Sequence, residues 1–400
     1  MQISKRAKRI APSLTLEITA KANKLKFDGE DIVSFGAGEP DFNTPDFIVE
    51  AAEIALAEGK TKYTPAAGTV SVRRAIAGKL KRENGLSYEP EDIVVSNGAK
   101  HSLHNAFQAI LDPLDEVVIP APYWLTYPEL VKLADGVPVI VNTKLENGFK
   151  LTASELEAAI TPKTRAVLLC SPNNPTGAVY SKKELKSLAS VLEKYKDVYI
   201  ISDEIYENLV YDGAETVSFA ALSDELKERT VLVNGVSKTF AMTGWRIGYT
   251  ASNRQLAKAM ASIQSHMTSN PNSIAQYATE IAFNDVRGEK FVNDMQTEFG
   301  RRRKLLMSCL AKSKTLSFIE PEGAFYCMVC VKNCFGRHAG DTVIDSAMKF
   351  AEVLLDKEKV AVIPCESFGA PDYIRLSYAV SPKDIERGVE RIVRFADGLK

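Results

Sequence analysis

The sequence predicts an α/β protein with a mostly parallel central sheet, flanked by helices on both faces, and a smaller α+β domain. Three observations indicate this. The chain has 400 residues, which is long for a single core. Short runs rich in Val, Ile and Leu alternate with amphipathic stretches, as in sheets whose strands are buried on both faces. After about residue 300, this alternation gives way to a mixed order of helices and strands.

Six apolar runs of four or five residues predict the strands of the larger domain. They are Ile93–Ser96, Glu116–Ile119, Val137–Val141, Ala166–Cys170, Val198–Ser202 and Thr230–Val233. Apolar side chains repeat at helical spacing in two intervening segments, Lys100–Leu111 and Lys182–Tyr195. The alternation predicts one domain over residues 45–300.

The last third of the chain predicts a different arrangement. Its expected elements are a helix from near Arg301, a strand Phe325–Val331, a helix Thr342–Lys357, strands Val360–Ile363 and Tyr373–Tyr378, and a helix after Pro382. Residues 1–44 precede the first clear strand–helix unit. We therefore expect residues 1–44 and 301–400 to form one small α+β domain.

Composition and charge argue against several classes of protein. There are 50 basic and 51 acidic residues, so the formal net charge is −1, without the basic excess of a nucleic-acid binder. The longest apolar run, Ala324–Val331, has eight residues, whereas a membrane helix needs about 20. No secretory signal or disulfide framework is recognisable, so we expect a cytoplasmic protein. Cys327 and Cys330 would point to opposite faces of a strand, and no metal site is expected.

Residues that follow the predicted strands could carry chemistry, because open α/β sheets bind ligands at the carboxyl ends of their strands. The turn Asn97–Lys100 opens a helix, whose free N–H groups could bind phosphate. Asp203 and Glu204 follow a buried strand, and one of these two acids should have a cationic partner. Lys238 is a candidate nucleophile, and Arg246 offers a fork for phosphate or carboxylate. Taken singly, each also fits an ordinary turn, cap or surface position.

Four motifs are specific when taken together. They are G-A-G-E-P-D-F-N-T-P at 36–45, S-P-N-N-P-T-G at 171–177, S-D-E-I-Y at 202–206 and S-K-T-F-A-M-T-G-W-R-I-G-Y at 237–249. On these motifs, the chain resembles the fold-type I, pyridoxal-phosphate-dependent class I aminotransferases over nearly its whole length. K-Y-T-P-A-A-G, G-A-K and P-Y-W make it similar to the bacterial aspartate aminotransferase subgroup, which also contains aspartate–prephenate enzymes.

The resemblance implies a role for each residue around pyridoxal 5'-phosphate. Lys238 would bind the cofactor aldehyde covalently and later move a proton between substrate and cofactor. Asp203 would pair with the ring nitrogen, Tyr206 and Asn174 would contact the ring oxygen, and Trp124 would stack on the ring. The phosphate would be held by Gly98, Ala99, Lys100, Ser237, Arg246 and, from the neighbouring subunit of a homodimer, Tyr63.

The resemblance also implies how substrate would be bound. Arg375 and the Gly38 backbone would hold the α-carboxylate, and Lys100 would hold the second carboxylate of aspartate or glutamate. Trp124 and Asn174 would complete this site. Thr15 occupies a position associated in the subgroup with prephenate use.

Three functions follow as hypotheses. The first is an aspartate transaminase that passes the amino group of L-aspartate to 2-oxoglutarate, giving oxaloacetate and L-glutamate. The alternative is an aminotransferase for aromatic or neutral amino acids, or for prephenate. Prephenate use is expected to be weak, because Ala11 stands where the subgroup's prephenate users carry a basic residue. A non-catalytic regulator would need a DNA-binding module, for which the first 45 residues leave no room.

Overall fold

The computed structural model describes residues 2–400. Within them, the strands are β1 (Val33–Ser34), β2 (Ile93–Ser96), β3 (Glu116–Ala121), β4 (Val137–Asn142), β5 (Thr164–Cys170), β6 (Tyr199–Asp203), β7 (Thr230–Gly235), β8 (Gly248–Ala251), β9 (Ser317–Phe318), β10 (Tyr326–Cys330), β11 (His338–Ala339), β12 (Thr342–Val343), β13 (Val360–Ala361), β14 (Ile363–Pro364) and β15 (Tyr373–Ser377). The α-helices are α1 (Lys5–Arg9), α2 (Leu14–Phe27), α3 (Asp46–Ala57), α4 (Val70–Asn84), α5 (Ala99–Ile110), α6 (Thr126–Leu133), α7 (Ala153–Ala159), α8 (Lys182–Leu192), α9 (Asp224–Arg229), α10 (Val236–Thr239), α11 (Arg254–Met267), α12 (Ser273–Asn284), α13 (Arg287–Leu310), α14 (Ala347–Glu358) and α15 (Pro382–Asp397).

The larger sheet of the described chain has the strand order β2-β8-β7-β6-β5-β3-β4. Strand β8 is antiparallel to both of its neighbours, and the remaining paired neighbours are parallel. The prediction of a mostly parallel α/β sheet is therefore confirmed. All six predicted strands are present, and β8 is an additional strand that the sequence did not predict.

Alternation along the strands explains why helices cover both faces of this sheet. In β5, Leu168 packs into one apolar core, whereas Val167 and Leu169 pack into another. In β2, Val94 and Val95 are likewise divided between two cores. A strand with both faces buried has no polar side, so it reads as a continuous apolar run.

A second sheet lies in the C-terminal part of the chain, with the antiparallel order β14-β15-β10-β9. Strand β1 pairs with β13, so residues near the N-terminus contact this part of the chain. The division into domains at residues 45 and 300 stays a prediction. Helix α13 crosses residue 300 without interruption.

Two predicted helix boundaries are wrong. The long helix begins at Arg287 rather than near Arg301. The helix predicted from Thr342 begins at Ala347, where the Ser346 hydroxyl accepts a hydrogen bond from the Lys349 N–H at 3.1 Å. Thr342 belongs instead to β12, which pairs with β11. A serine cap satisfies an otherwise free N–H of the first turn and fixes the start of the helix there.

The part of the chain that the structure describes, residues 2–400, contains fifteen α-helices. None of them is both long and apolar enough to span a membrane.

Candidate active site

A cavity of about 340 Å³ lies at the carboxyl ends of β5, β6 and β7, beside β10 and β15 of the second sheet. It is lined by Ser13, Thr15, Gly38, Ala99, Lys100, Trp124, Leu125, Thr126, Tyr127, Asn174, Asp203, Ile205, Tyr206, Ser237, Lys238, Thr243, Arg246, Tyr326 and Arg375. The cavity therefore collects the predicted site residues, apart from Gly98 and Tyr63.

A larger and more open groove, of about 1150 Å³, lies elsewhere on the surface. Most of its charged side chains are paired with one another. Lys150 pairs with Glu184 at 2.7 Å, and Arg303 pairs with Asp212 and Glu320 at 2.5 and 2.8 Å. Groups that already satisfy each other leave little for a ligand to bind, so we assign the chemistry to the smaller cavity.

Lys238 lies on the short helix α10, directly after β7. Its Nζ donates a hydrogen bond to the Gly38 carbonyl oxygen at 2.5 Å. The pKa of Lys238 is lowered to about 8, mainly by burial and to a smaller extent by Arg246 and Arg375, whereas Glu39 and Asp203 act in the opposite direction. An amine with a depressed pKa is available as a nucleophile or base near neutral pH.

Asp203 ends β6 and is only 3% exposed. Its carboxylate accepts hydrogen bonds from the Tyr127 hydroxyl at 2.7 Å and from the Ile205 N–H at 3.2 Å. Burial raises the pKa of Asp203 to about 6, although these hydrogen bonds and the charge of Lys238 act in the opposite direction. Such a carboxylate at a cavity wall favours a ligand that brings a positive charge or an N–H donor.

Two tyrosines that line the cavity contact each other. The hydroxyls of Tyr206 and Tyr326 lie 2.9 Å apart, and their rings meet edge to face at 5.8 Å. Tyr206 follows β6, whereas Tyr326 belongs to β10, so this contact joins the two sheets. Tyr326 was not predicted.

Arg375, on β15, is a buried cation that faces the same space. Its Nη1 donates to Asn174 Oδ1 at 2.9 Å and its Nη2 to the Gly36 carbonyl at 3.3 Å. The guanidinium also lies 4.3 Å from the centre of the Tyr326 ring. Its Nε has no protein partner among the described residues, so the fork retains capacity for an anion.

The turn between β2 and α5 forms another wall. Gly98 has φ of +84°, and a Cβ there would lie 2.8 Å from Cζ of Arg246, which shows how closely this arginine approaches the backbone. A side chain at Gly98 would therefore displace Arg246. No side chain of the described chain caps α5 at Gly98, so its N-terminus can face an anion.

Lys100 extends from the first turn of α5 over the Trp124 ring, with Nζ 4.9 Å from the ring centre. Trp124 in turn meets Tyr127 edge to face at 5.4 Å. Burial, followed by the charge of Arg246, lowers the pKa of Lys100. Among the described residues, no carboxylate lies within ion-pair distance of it.

Two predicted residues differ from the others in location. Gly98 is not among the lining residues, although its neighbours Ala99 and Lys100 are. Tyr63 is 91% exposed and does not line the cavity. The sequence also missed Tyr127, whose contact with Asp203 joins residues 76 positions apart, and Ser13, which lies beside Thr15. No local motif carried a signal for the tyrosine contact.

The chain matches proteins of a known family along most of its length. The family model described as "Aminotransferase class I and II" matches residues 30–392. An aspartate aminotransferase of Bacillus subtilis is 47% identical over 397 residues, covering 99% of both chains. A probable aspartate/prephenate aminotransferase of Aquifex aeolicus is also 47% identical, with 99% of both chains covered. A solved structure of Thermus thermophilus aspartate aminotransferase with maleate is 44% identical, with a TM-score of 0.93 over 99% of this chain and 100% of that chain.

These matches extend along essentially the whole sequence, and they agree with the mostly parallel α/β sheet and with the motifs at the strand ends. The resemblance inferred from those motifs is therefore confirmed, and the chain belongs to the class I and II aminotransferases.

Proposed function

We propose that this aminotransferase transfers the amino group of L-aspartate to 2-oxoglutarate, giving oxaloacetate and L-glutamate. The observation that carries the proposal is the charge of the cavity. Of its lining residues within the described chain, Lys100, Lys238, Arg246 and Arg375 are basic, and Asp203 alone is acidic. An excess of cations suits a phosphate together with a dicarboxylate substrate.

We also propose pyridoxal 5'-phosphate as the cofactor, and the cavity fits it. Asp203 has no ion-pair partner among the described residues, and a protonated ring nitrogen would supply one. Tyr206 and Asn174 would contact the ring oxygen, and Trp124 would cover one ring face. The N-terminus of α5, at Gly98, Ala99 and Lys100, would hold the phosphate together with Ser237 and Arg246.

When bound, this cofactor supplies an electron sink for the carbanion formed at the substrate α-carbon. Lys238 would hold the cofactor covalently in the resting enzyme. Its amine would then take the proton from the substrate α-carbon and deliver a proton to the cofactor. The depressed pKa of Lys238 supports both tasks, because it increases the uncharged fraction of the amine near neutral pH.

Substrate recognition would rest on two cations at different walls. Arg375 would take the α-carboxylate, supported by Asn174 and by the Gly38 backbone. Lys100 would take the distal carboxylate of aspartate or glutamate. The Thr15 hydroxyl is buried and has no protein partner in the described chain, so it could contact substrate from the N-terminal side.

The proposed reaction is tested with the purified chain, pyridoxal 5'-phosphate and a panel of amino donors with 2-oxoglutarate. We expect kcat/KM for L-aspartate to exceed that for L-alanine and L-phenylalanine by about 30-fold or more, because only aspartate engages both cations. Prephenate with L-aspartate should give little or no arogenate. A preference for phenylalanine would instead support an aminotransferase for aromatic amino acids. Efficient arogenate formation would support the prephenate activity that the Aquifex relative's name suggests.

The Tyr127 hydroxyl supports the ionised form of Asp203, and its removal should be visible in cofactor binding. In Tyr127→Phe, the pKa of Asp203 should rise further above about 6, because the carboxylate loses a hydrogen-bond donor. Affinity for pyridoxal 5'-phosphate should fall about tenfold. The loss should be larger at pH 6 than at pH 8, since more of Asp203 is protonated at the lower pH. Tyr195→Phe, outside the cavity, serves as the control, and an unchanged affinity in Tyr127→Phe would contradict the assignment.

We further propose a homodimer in which Tyr63 reaches the cofactor phosphate of the partner subunit. The exposure of Tyr63 supports this, because an aromatic side chain that is 91% exposed in one chain is available for contact with another. Co-expressed Lys238→Ala and Tyr63→Phe chains should form hybrids with one site that retains both residues. At limiting cofactor, the mixture should be more active than the average of the two parents. Activity equal to that average would show that Tyr63 does not act across subunits.

A further inference from the structure

One buried lysine, Lys79, does not line the cavity and has no role in the proposed chemistry. Lys79, on α4, is 1% exposed. Its Nζ donates to Asn84 Oδ1 at 2.8 Å and also contacts the Glu207 carboxylate. Asn84 Nδ2 donates to the other oxygen of Glu207 at 2.8 Å. Lys79, Asn84 and Glu207 therefore form a buried group in which each charge has a partner.

Stability of the fold does not by itself explain this group. Bringing a lysine and a glutamate out of water is costly, and a well-packed apolar pair of similar size often gives an equally stable protein. Polar groups that are fully hydrogen-bonded in a core instead restrict the backbone to one arrangement. The relevant question is which backbone segments Glu207 connects.

Glu207 directly follows Tyr206 and is bonded to the segment that leads to Lys238. Asn234 Nδ2 donates to Glu207 Oε1 at 2.5 Å. The Asn234 side-chain oxygen accepts a hydrogen bond from the Gly235 N–H at 2.7 Å. Gly235 is the N-cap residue that directly precedes helix α10, which carries Lys238. Both polar atoms of the Asn234 amide are therefore hydrogen-bonded, which fixes its orientation.

A second hydrogen bond joins the same two segments, one residue after Glu207 and five residues after Asn234. Thr239 Oγ1 donates to Asn208 Oδ1 at 3.1 Å. Asn208 follows Glu207, and Thr239 follows Lys238. The turn also has little space in which to shift, since a Cβ at Gly235 would lie 2.8 Å from the Ile247 carbonyl and 2.9 Å from Gly248 Cα.

We propose that Lys79, Glu207 and Asn234 are positioning residues that fix the Tyr206 and Lys238 turns relative to each other, and so set the geometry with which the cavity binds its cofactor. This inference rests on the proposed function of the cavity. In this view, the buried ion pair holds two active-site segments in a fixed relative position. Helix α4, which carries Lys79 and Asn84, provides the fixed point. None of the three residues lines the cavity.

The contact between Glu207 and Asn234 can be tested with two single variants and one double variant. Asn234→Asp alone sets two carboxylates against each other, and Glu207→Gln alone leaves Lys79 without its buried counter-charge. The double variant Lys79→Met/Glu207→Gln has the wild-type net charge, leaves no unpaired buried charge, and keeps an oxygen at position 207 that can accept from Asn234 Nδ2. Glu83→Gln is the matched control, since Glu83 lies 3.6 Å from Lys79 but is partly exposed and has no contact with Asn234.

Three measurements are made on each chain: equilibrium binding of pyridoxal 5'-phosphate to the cofactor-free form, thermal unfolding of that form, and the pH midpoint of the absorbance of the bound cofactor. Each single variant should bind pyridoxal 5'-phosphate about tenfold or more weakly, which is a loss of about 1.4 kcal/mol or more in binding free energy. The pH midpoint of the bound cofactor's absorbance should also shift. The double variant should return to within about threefold of wild type, and Glu83→Gln should match wild type throughout.

The inference is overturned if the single variants melt at lower temperature but keep wild-type affinity and midpoint, because the group would then serve stability alone. It is also overturned if a folded double variant does not regain binding. Should a variant not fold, Thr239→Val removes the second link between the same turns without a buried charge, and unchanged binding there contradicts the inference. A wild-type chain that does not bind pyridoxal 5'-phosphate would instead refute the proposed function.

Discussion

Replacing Lys238 with alanine should abolish covalent attachment of the cofactor and reduce turnover by about 10²- to 10⁴-fold. Lys238 combines three features expected of the reactive amine. It lines the cavity, its pKa is lowered to about 8 by burial, and Asp203 lies in the same cavity. Alanine at this position removes both the nucleophile and the group that moves the α-proton, so no other cavity residue is expected to compensate.

Borohydride reduction followed by peptide mapping measures the attachment directly. Wild-type chain should carry the reduced cofactor on Lys238, and the variant should carry none. Lys186→Ala, which changes an exposed lysine of α8, should behave as wild type. Reduced cofactor on a different lysine, or substantial turnover in Lys238→Ala, would refute the assignment.

Replacing Lys100 with alanine should change substrate selectivity rather than general activity. Lys100 lies over Trp124 at the cavity wall. Burial and the charge of Arg246 lower its pKa, so an anionic ligand would stabilise the charged ammonium. Loss of one partner of a charge-assisted contact in a closed site costs about 2–5 kcal/mol. We therefore expect kcat/KM for L-aspartate to fall by about 30-fold or more.

Donors without a distal carboxylate distinguish the roles of Lys100. Activity with L-alanine or L-phenylalanine should change little in Lys100→Ala, because these substrates have no group for the ammonium to bind. Lys100→Gln, which keeps most of the side-chain length, should show the same loss for aspartate. Equal losses for all donors, together with weaker binding of pyridoxal 5'-phosphate, would show that Lys100 serves the phosphate instead.

Most of the residues predicted from the sequence lie in short motifs at the ends of apolar strands, although Thr15, Tyr63 and Arg375 do not. Asp203 directly terminates β6, and Lys238 follows β7 by three residues. Parallel strands bring their carboxyl ends to one edge of the sheet, so local patterns were sufficient to gather them. Five of the six predicted strands were recognisable because both of their faces are mostly buried, whereas β4, at the edge of the sheet, is partly exposed.

What the sequence did not predict depends on contacts between distant segments. Tyr127 reaches Asp203 from α6, and Tyr326 reaches Tyr206 from the second sheet, 120 residues further along the chain. Neither tyrosine belongs to a pattern that distinguishes it from other core aromatics. Strand β8 was missed because Gly248–Ala251 is short and directly follows a glycine-containing loop, without the run of branched residues typical of its neighbours.

Helix α13 shows a signal that was present but not used. Phe291, Met295 and Phe299 recur every four residues before the predicted start at Arg301, and they mark the apolar stripe of the same helix. The surrounding charged residues lowered the mean hydropathy of the segment and obscured this spacing. Periodicity is the better guide in such a segment.

The contacts of Arg375 with Asn174 and of Tyr326 with Tyr206 bind one sheet to the other across the cavity. A ligand in the cavity would touch both sides of this junction, so its binding free energy would oppose separation of the sheets as well as local opening. Binding of the cofactor would therefore cause the two sheets to unfold together, in a more cooperative transition. Cellular proteases, which cleave locally opened chains, would encounter such states less often whenever the cofactor is abundant.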